Sequence, residues 1–474
     1  MAKSPRRKAA RPGKSTRSTS ATARARSQGR PAAAKPGAAP AKAWIITVDM
    51  GLGHQRAANP LAKFAEGGII TAGGAGFADE AERKLWTRLR NSYETLSRVR
   101  SVPLIGPPLF GLLDRLQNIP SFYPIKDMSS PSYQVQLVRR YIEKGLGRGT
   151  VELVRQKALP TISSHPVPAL ALDYAGFRRN YCIVTDAEIS RAWVATDPRQ
   201  SRIHYMAPCG RAVRRLNLYG IPDERIFLTG FPFPLEVLGD GELSILRRDV
   251  AQRLFHLDPT ERFWPLHGRT VRYFLGPGNC KPKHDRRFAI TFAVGGAGAQ
   301  REIGYQIAKS MQKRLRAGEL TLNLVAGIRH EVKQYFEEVR REYSPESDSI
   351  RVIYGESKED YFRRFAETIR HTDVLWTKPS ELSFYAGLGI PIIMAPTIGS
   401  QEEFNRKWLL EIQAGVDQED PDYSDEWLFD LLEAGRLADT AWDGFLKARK
   451  YGTYKIKEVI ETGAMVRETS PLKR

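Results

Sequence analysis

The chain has 474 residues, 42% of them apolar, and a formal charge of +20. That length is too great for one hydrophobic core and suits two domains. Residues 1–42 hold five Lys and seven Arg with no Asp or Glu, leaving only +8 for the rest, so the charge does not describe a nucleic-acid-binding fold.

The first segment, 1–42, is Ala, Pro, Ser and Gly around those basic residues. It has few large apolar side chains to set against the entropy of ordering and is expected to be a disordered tail. A solvated tail with weak affinity for anionic lipid or nucleic acid and an organelle transit peptide share this composition, and both stay open. The tail lacks the apolar stretch of a secretory signal, and no apolar run of about eighteen residues offers a membrane-spanning helix. Cys182, Cys209 and Cys280 are odd in number and form no C-x-x-C pair. They argue against a disulfide framework or zinc site and fit a reducing compartment. The expected location is cytoplasmic, with a peripheral place on an anionic membrane open.

From Trp44 the chain reads as repeated strand, turn and helix. WIITV at 44–48 is a strand, Gly51 and Gly53 make the turn, and a helix is predicted over Arg56 to Ala65. Glycines there let backbone approach a ligand at a helix N-terminus, where free amides favour negative charge. Further strands are predicted at 159–163, running into His165, at 181–185, running into Asp186, and at 203–208 and 226–229. Between Leu238 and Arg287 the pattern breaks into charged helix, Pro, Gly and scattered aromatics, read as a connection with an irregular insertion. A second cycle opens with the strand 288–294, then Gly295, Gly296, Gly298 and Gln300, then a helix over Gly304 to Ala317. Strands at 322–326, 350–354, 374–377 and 391–395 follow. Strands alternating with helices imply a parallel α/β sheet in each half, with ligands at the strands' carboxyl ends. The glycine run does not match the spacing of a P-loop, and Gly51-Leu-Gly53 lacks the third glycine of a dinucleotide fingerprint.

The stretch from Asp373 to Gly415 carries the most specific pattern: a strand ending in Thr377-Lys378-Pro379, then Ser380-Glu381, Gly389-Ile-Pro391, and Gly399-Ser400-Gln401-Glu402 with Asn405. It resembles the donor half of the glycosyltransferases that include monogalactosyldiacylglycerol synthase and the peptidoglycan N-acetylglucosaminyltransferase, a family 28-like group. In the first half, Asp49-Met-Gly-Leu-Gly-His54, Ser164-His165-Pro166, Thr185-Asp186 with Trp193, and Thr229-Gly-Phe-Pro232 are similar to that family's segments. Arg191-Ala192 stand where the family carries His-Pro before the tryptophan.

The resemblance implies a GT-B fold, two Rossmann-like domains facing across a cleft. The expected division is an acceptor domain at 43–240, the connection at 241–287, a nucleotide-sugar domain at 288–423, and C-terminal helices at 424–474 that could pack back on the first domain. It implies sugar transfer from a nucleoside diphosphate sugar, with uridine the expected base, to an acceptor hydroxyl. The nucleotide-sugar is a co-substrate, and neither cofactor nor metal is expected. His54 is the candidate base, and Asp186 the alternative base or its orienting partner. Gly51, Gly53, His165 and Trp193 fall on the acceptor side. Gly295, Gly296, Gly298, Gln300, Lys378, Ser380, Glu381, Gly399, Ser400, Gln401, Glu402 and Asn405 fall on the donor side, Glu381 as the ribose-binding acid. A lysine at a strand's end can steady a departing diphosphate. Segment 99–123 is apolar and punctuated by prolines, with Arg98, Arg100 and Lys126 near its edges; in the enzymes that the chain resembles, the corresponding region approaches membrane, so the resemblance makes a lipid acceptor attractive. A sugar-nucleotide epimerase of the same fold and a non-catalytic nucleotide-sugar-binding protein are the competing readings.

Overall fold

The computed structural model describes residues 42–99, 119–283, 286–294, 298, 300–466 and 468. The expected tail up to residue 41 and most of the apolar segment at 99–123 lie outside the described residues. Among the described residues twelve strands form two parallel sheets of six, ordered β2-β1-β3-β4-β5-β6 and β12-β11-β10-β7-β8-β9. The first holds β1 (Trp44–Thr47), β2 (Ile70–Thr71), β3 (Thr161–Ser163), β4 (Asn180–Ile183), β5 (Ile203–Met206) and β6 (Ile226–Phe227). The second holds β7 (Phe288–Ala293), β8 (Leu320–Gly327), β9 (Ile350–Tyr354), β10 (Val374–Thr377), β11 (Ile392–Met394) and β12 (Gly415–Asp417).

Helices cover both faces of the central strands, which is why they read as continuous apolar runs: all eight residues of β8 and all four of β10 are buried. The edge strands β2 and β12, two and three residues long, have no such run and escape a sequence reading. The first helix occupies Leu52–Ala58, earlier than predicted. Pro60, which lacks an amide hydrogen, then opens a 3-10 stretch at Asn59–Phe64. The helix predicted over 304–317 divides at Met311 into Arg301–Ser310 and Gln312–Ala317.

Residues 241–287 are more regular than their composition suggests. They contain the helices Ser244–His256 and Trp264–Leu275. Leu246, Val250, Ala251 and Leu254 make a buried stripe, and Arg253, also buried, donates to the carbonyls of Thr372 (2.6 Å) and Leu388 (2.9 Å). The segment is thereby fastened to the second sheet's surroundings.

From Lys42 onward the chain is one compact unit. After the helices Ser424–Glu433 and Arg436–Lys447, the last helix, Gly452–Thr462, lies on the first lobe. Thr453 donates to the Phe233 carbonyl at 2.5 Å, and Arg179 to the Ile460 carbonyl at 3.2 Å. Phe231, where the chain leaves the first lobe, stacks on Phe384 of the second at 5.2 Å between centroids. Together these contacts fix the two lobes against each other.

A Cβ on Gly452 would stand 2.0 Å from the Phe231 carbonyl oxygen, against backbone that cannot rotate away. Gly452→Ala is expected to lower unfolding stability by about 2–3 kcal/mol, the usual cost of overpacking. Thermal denaturation measures this, and an unchanged midpoint would mean the last helix is not seated as described.

Candidate functional site

Gly51, at φ 88°, turns the chain after β1 and places His54 in the first turn of the following helix. Nδ1 of His54 lies 2.7 Å from the Ser164 carbonyl oxygen. A carbonyl only accepts, so Nδ1 carries the hydrogen and the neutral ring keeps a lone pair on Nε2. Burial lowers the pKa of His54 from the ordinary histidine value, against opposing effects of the Ser164 carbonyl and the charge of Glu381. The ring is therefore neutral at neutral pH.

His165 has the opposite tautomer. It caps the helix Pro166–Tyr174, and its Nδ1 accepts the Val167 amide hydrogen at 3.2 Å, which leaves the ring hydrogen on Nε2. Burial, and then the neighbouring His54, hold its pKa well below the usual range. The two rings meet edge to face at 4.7 Å, and Trp193 lies 6.1 Å from His54 and 6.3 Å from His165. The result is a neutral acceptor and a neutral donor side by side. Arg191 is buried and donates to the carbonyls of Ser129 (2.7 Å), Val194 (2.8 Å) and Ala195 (3.0 Å), so it holds the loop before the tryptophan.

Asp186 follows β4. Its Oδ1 accepts from Asn405 Nδ2 at 3.0 Å, and Thr185 donates to its Oδ2 at 3.4 Å. Burial pushes its pKa up to about 6; the Asn405 amide opposes this, and the charges of Glu381 and Glu402 add to it. Asn405 is fully buried, and its amide is committed elsewhere too. Its oxygen accepts from the Ala187 amide at 2.7 Å, and its nitrogen also donates to the Pro379 carbonyl at 3.2 Å. This side chain, expected on the donor side, bridges the two lobes.

Glu381 opens the 3-10 stretch Glu381–Leu388 and crosses to the first lobe. Arg56 Nε donates to its Oε1 at 3.1 Å, with Arg56 side chain 5% and Glu381 side chain 14% exposed. Arg56 also donates to the Tyr361 hydroxyl at 2.8 Å and lies 4.5 Å from the centre of the Phe365 ring. Its Nη1 is buried with no hydrogen-bond partner among the described residues. A Cβ at Gly53 would stand 2.9 Å from Glu381 Oε2, so the carboxylate occupies the space a side chain would need. Arg56 and Tyr361 are absent from the sequence-based site. Arg56 sits in a short helix with no motif of its own, and its partners are some 300 residues away.

Lys378 is paired with Glu402, whose Oε2 also accepts the amides of Ile398 (2.6 Å) and Gly399 (3.3 Å). Glu402 thus caps the helix Ser400–Glu411, in which Ser400 and Gln401 are half-buried. Ser380 donates its amide to the Lys378 carbonyl at 2.8 Å, closing the turn that presents Glu381. Gln300, at φ 66°, donates to the Pro396 carbonyl at 2.8 Å, which brings the loop after β7 beside the one after β11. Gly298 has φ 73°, while Gly295 and Gly296 lie outside the described residues.

Residues 328–462, well under half of the chain, match a family described as a domain of unknown function, DUF6938. No curated protein matches the chain. Among solved structures, MurG of Acinetobacter baumannii is similar at 14% identity over 89% of this chain and 99% of its own, with a TM-score of 0.47. The UDP-GlcNAc 2-epimerase of Neisseria meningitidis, bound to UDP-GlcNAc, is similar at 9% identity over 89% and 98%, with a TM-score of 0.45. The glycosyltransferase SnogD of Streptomyces nogalater is similar at 12% identity over 90% and 100%, with a TM-score of 0.40. At such scores any reaction rests on this chain's own residues.

The negative charge of Glu381 favours the protonated forms of both His54 and Asp186. In an NMR titration His54 is expected to have a midpoint below 6.5 and Asp186 one near 6. Glu381→Gln should move both downward. A His54 midpoint at or above 6.5, or no movement in the variant, would contradict this electrostatic arrangement.

Proposed function

We propose that the chain is a glycosyltransferase moving a sugar from a nucleoside diphosphate sugar, UDP-linked, to an acceptor hydroxyl, with His54 as general base. The observation that carries this reading is the His54 tautomer: Nδ1 is committed to the Ser164 carbonyl, so Nε2 is a neutral acceptor beside the donor Nε2–H of His165. As the acceptor oxygen bonds to the anomeric carbon, its proton passes to His54 Nε2. The bond between that carbon and the diphosphate oxygen breaks, and its electron pair leaves with the nucleoside diphosphate.

On the donor side, Glu381 would take ribose hydroxyls, with Gly298, Gln300 and the Gly399–Gln401 turn along the phosphates. Lys378 would exchange Glu402 for the diphosphate, and the buried Nη1 of Arg56 offers a further donor. In this reading these groups, rather than a metal ion, compensate the leaving-group charge. A lipid acceptor is supported at the edge of the apolar segment by Tyr123, Ile125 and Tyr133, large side chains that are mostly exposed. The membrane contact in this reading is peripheral; separately, among the described residues no helix is long and apolar enough to cross a membrane.

His54→Ala should reduce sugar transfer by roughly 100-fold or more, as removal of a general base does, with UDP affinity unchanged. Unimpaired turnover would remove His54 from the mechanism. For the donor site the informative variant is Glu381→Gln, because Glu381→Ala would strand the buried Arg56 guanidinium at a cost of about 3–5 kcal/mol. Calorimetry should show about tenfold weaker UDP binding in Glu381→Gln and in Gln401→Ala, a loss on the order of one hydrogen bond to a charged group. Equal affinities would sink the assignment. A donor that returns as a different sugar after incubation alone, read by NMR, would move the reaction to a sugar-nucleotide epimerase.

A further inference from the structure

In a parallel sheet the two ends of the strands are separate surfaces. His54, His165 and Asp186 all follow the carboxyl ends of β1, β3 and β4. At the opposite end of that sheet, Arg178 precedes β4, Arg199 and Arg202 precede β5, and Arg225 precedes β6. Strands of four residues put the two surfaces roughly 13 Å or more apart. The four arginines line one open concavity of about 650 Å³, with Glu224 as its single acidic lining residue.

These arginines are unlike most of the others in the fold. None has a carboxylate oxygen within ion-pair distance among the described residues, whereas Arg56, Arg211, Arg215, Arg286 and Arg314 are all ion-paired. Arg225 is held by backbone carbonyls alone: those of Ser201, Pro198 (2.8 Å) and Arg199 (3.3 Å). Arg202 donates to the Gly176 carbonyl at 3.2 Å. Carbonyl bonds orient a guanidinium without neutralising it. Further acidic groups stand at the rim rather than in the concavity: Asp173 accepts the Arg202 amide at 2.7 Å, Asp197 accepts the Arg199 amide at 3.0 Å, and Asp127 feels the charge of Arg199. His204, also lining the concavity, has a buried Nδ1 with no hydrogen-bond partner among the described residues.

We infer that this concavity is a second ligand site, separate from the cleft, for a phosphoryl anion, as carried by pyrophosphate, a phosphomonoester or a phosphodiester headgroup. The guanidinium forks of Arg202 and Arg225, oriented by carbonyls and free of ion pairs among the described residues, match phosphate oxygens in pairs, and a concave surface concentrates the field of all four arginines. The same chemistry is offered by a soluble phosphoryl compound or by the headgroup of an anionic lipid.

The test compares the full chain with Arg178→Ala/Arg199→Ala. Both residues are exposed, so the variant should melt at the same temperature as the parent. Pyrophosphate is titrated by calorimetry. Vesicles of phosphatidylcholine, with and without phosphatidylglycerol, are tested by co-sedimentation. The site predicts at least a tenfold loss of affinity in the variant for one of the two probes, and binding that weakens with added salt. Loss for pyrophosphate alone identifies a soluble phosphoryl ligand, and loss of phosphatidylglycerol-dependent sedimentation identifies a lipid headgroup. Any pyrophosphate taken up by the cleft, or lipid held by the basic tail, is common to both proteins and cancels. If parent and variant behave alike toward both probes, the concavity is not an anion site.

Discussion

The buried pair of Arg56 and Glu381 is the interaction on which the arrangement of the cleft depends. Removing two charges from water is costly, and the cost is offset only where geometry and additional hydrogen bonds are good. Here Tyr361 takes a second guanidinium hydrogen bond, Phe365 lies under the guanidinium, and the glycine at position 53 leaves room for the carboxylate. The pair joins the helix after β1 to the segment after β10, so the residues expected for acceptor and donor are set by one contact. Its charge reaches further, since Glu381 acts on the protonation of both His54 and Asp186.

A second tie, through Asn405, makes the junction specific as well as strong. One amide group bridges Asp186, Ala187 and Pro379, and no part of it is left exposed. Across the cleft, three carboxylates (Asp186, Glu381 and Glu402) are set against Lys378 and Arg56. In the proposed reaction an incoming diphosphate competes with Glu402 for Lys378, so donor entry and the capping of the helix Ser400–Glu411 are linked. Asp186, poised at about 6, can then orient a ligand in either protonation state.

Much of the fold was legible because buried parallel strands leave continuous apolar runs; β9 and β10 fall on the expected residues. The short edge strands β2 and β12 bury too little to leave such a signal. The charged helix read after Leu238 is Ser244–His256, whereas the helix Trp264–Leu275 was obscured by its Pro, Gly and scattered aromatics. At the site, His54 and His165 were singled out by position after strands and Trp193 by the family resemblance, and the three rings lie together because the carboxyl ends of parallel strands converge. Arg56 could not be anticipated, because its importance comes from partners brought near only by folding. Neither could the commitment of Asn405 and of Glu402 to protein groups, which a motif match does not report.

The central claim is that one ligand is gripped by both lobes at the Arg56–Glu381 junction. Hydrogen–deuterium exchange with and without UDP tests it directly, since amides gain protection where binding suppresses local opening. The account predicts slowed exchange in two segments at once: the helix Leu52–Ala58 of the first lobe, and residues 378–405 of the second. Protection confined to one lobe, or absent from both segments, would contradict it.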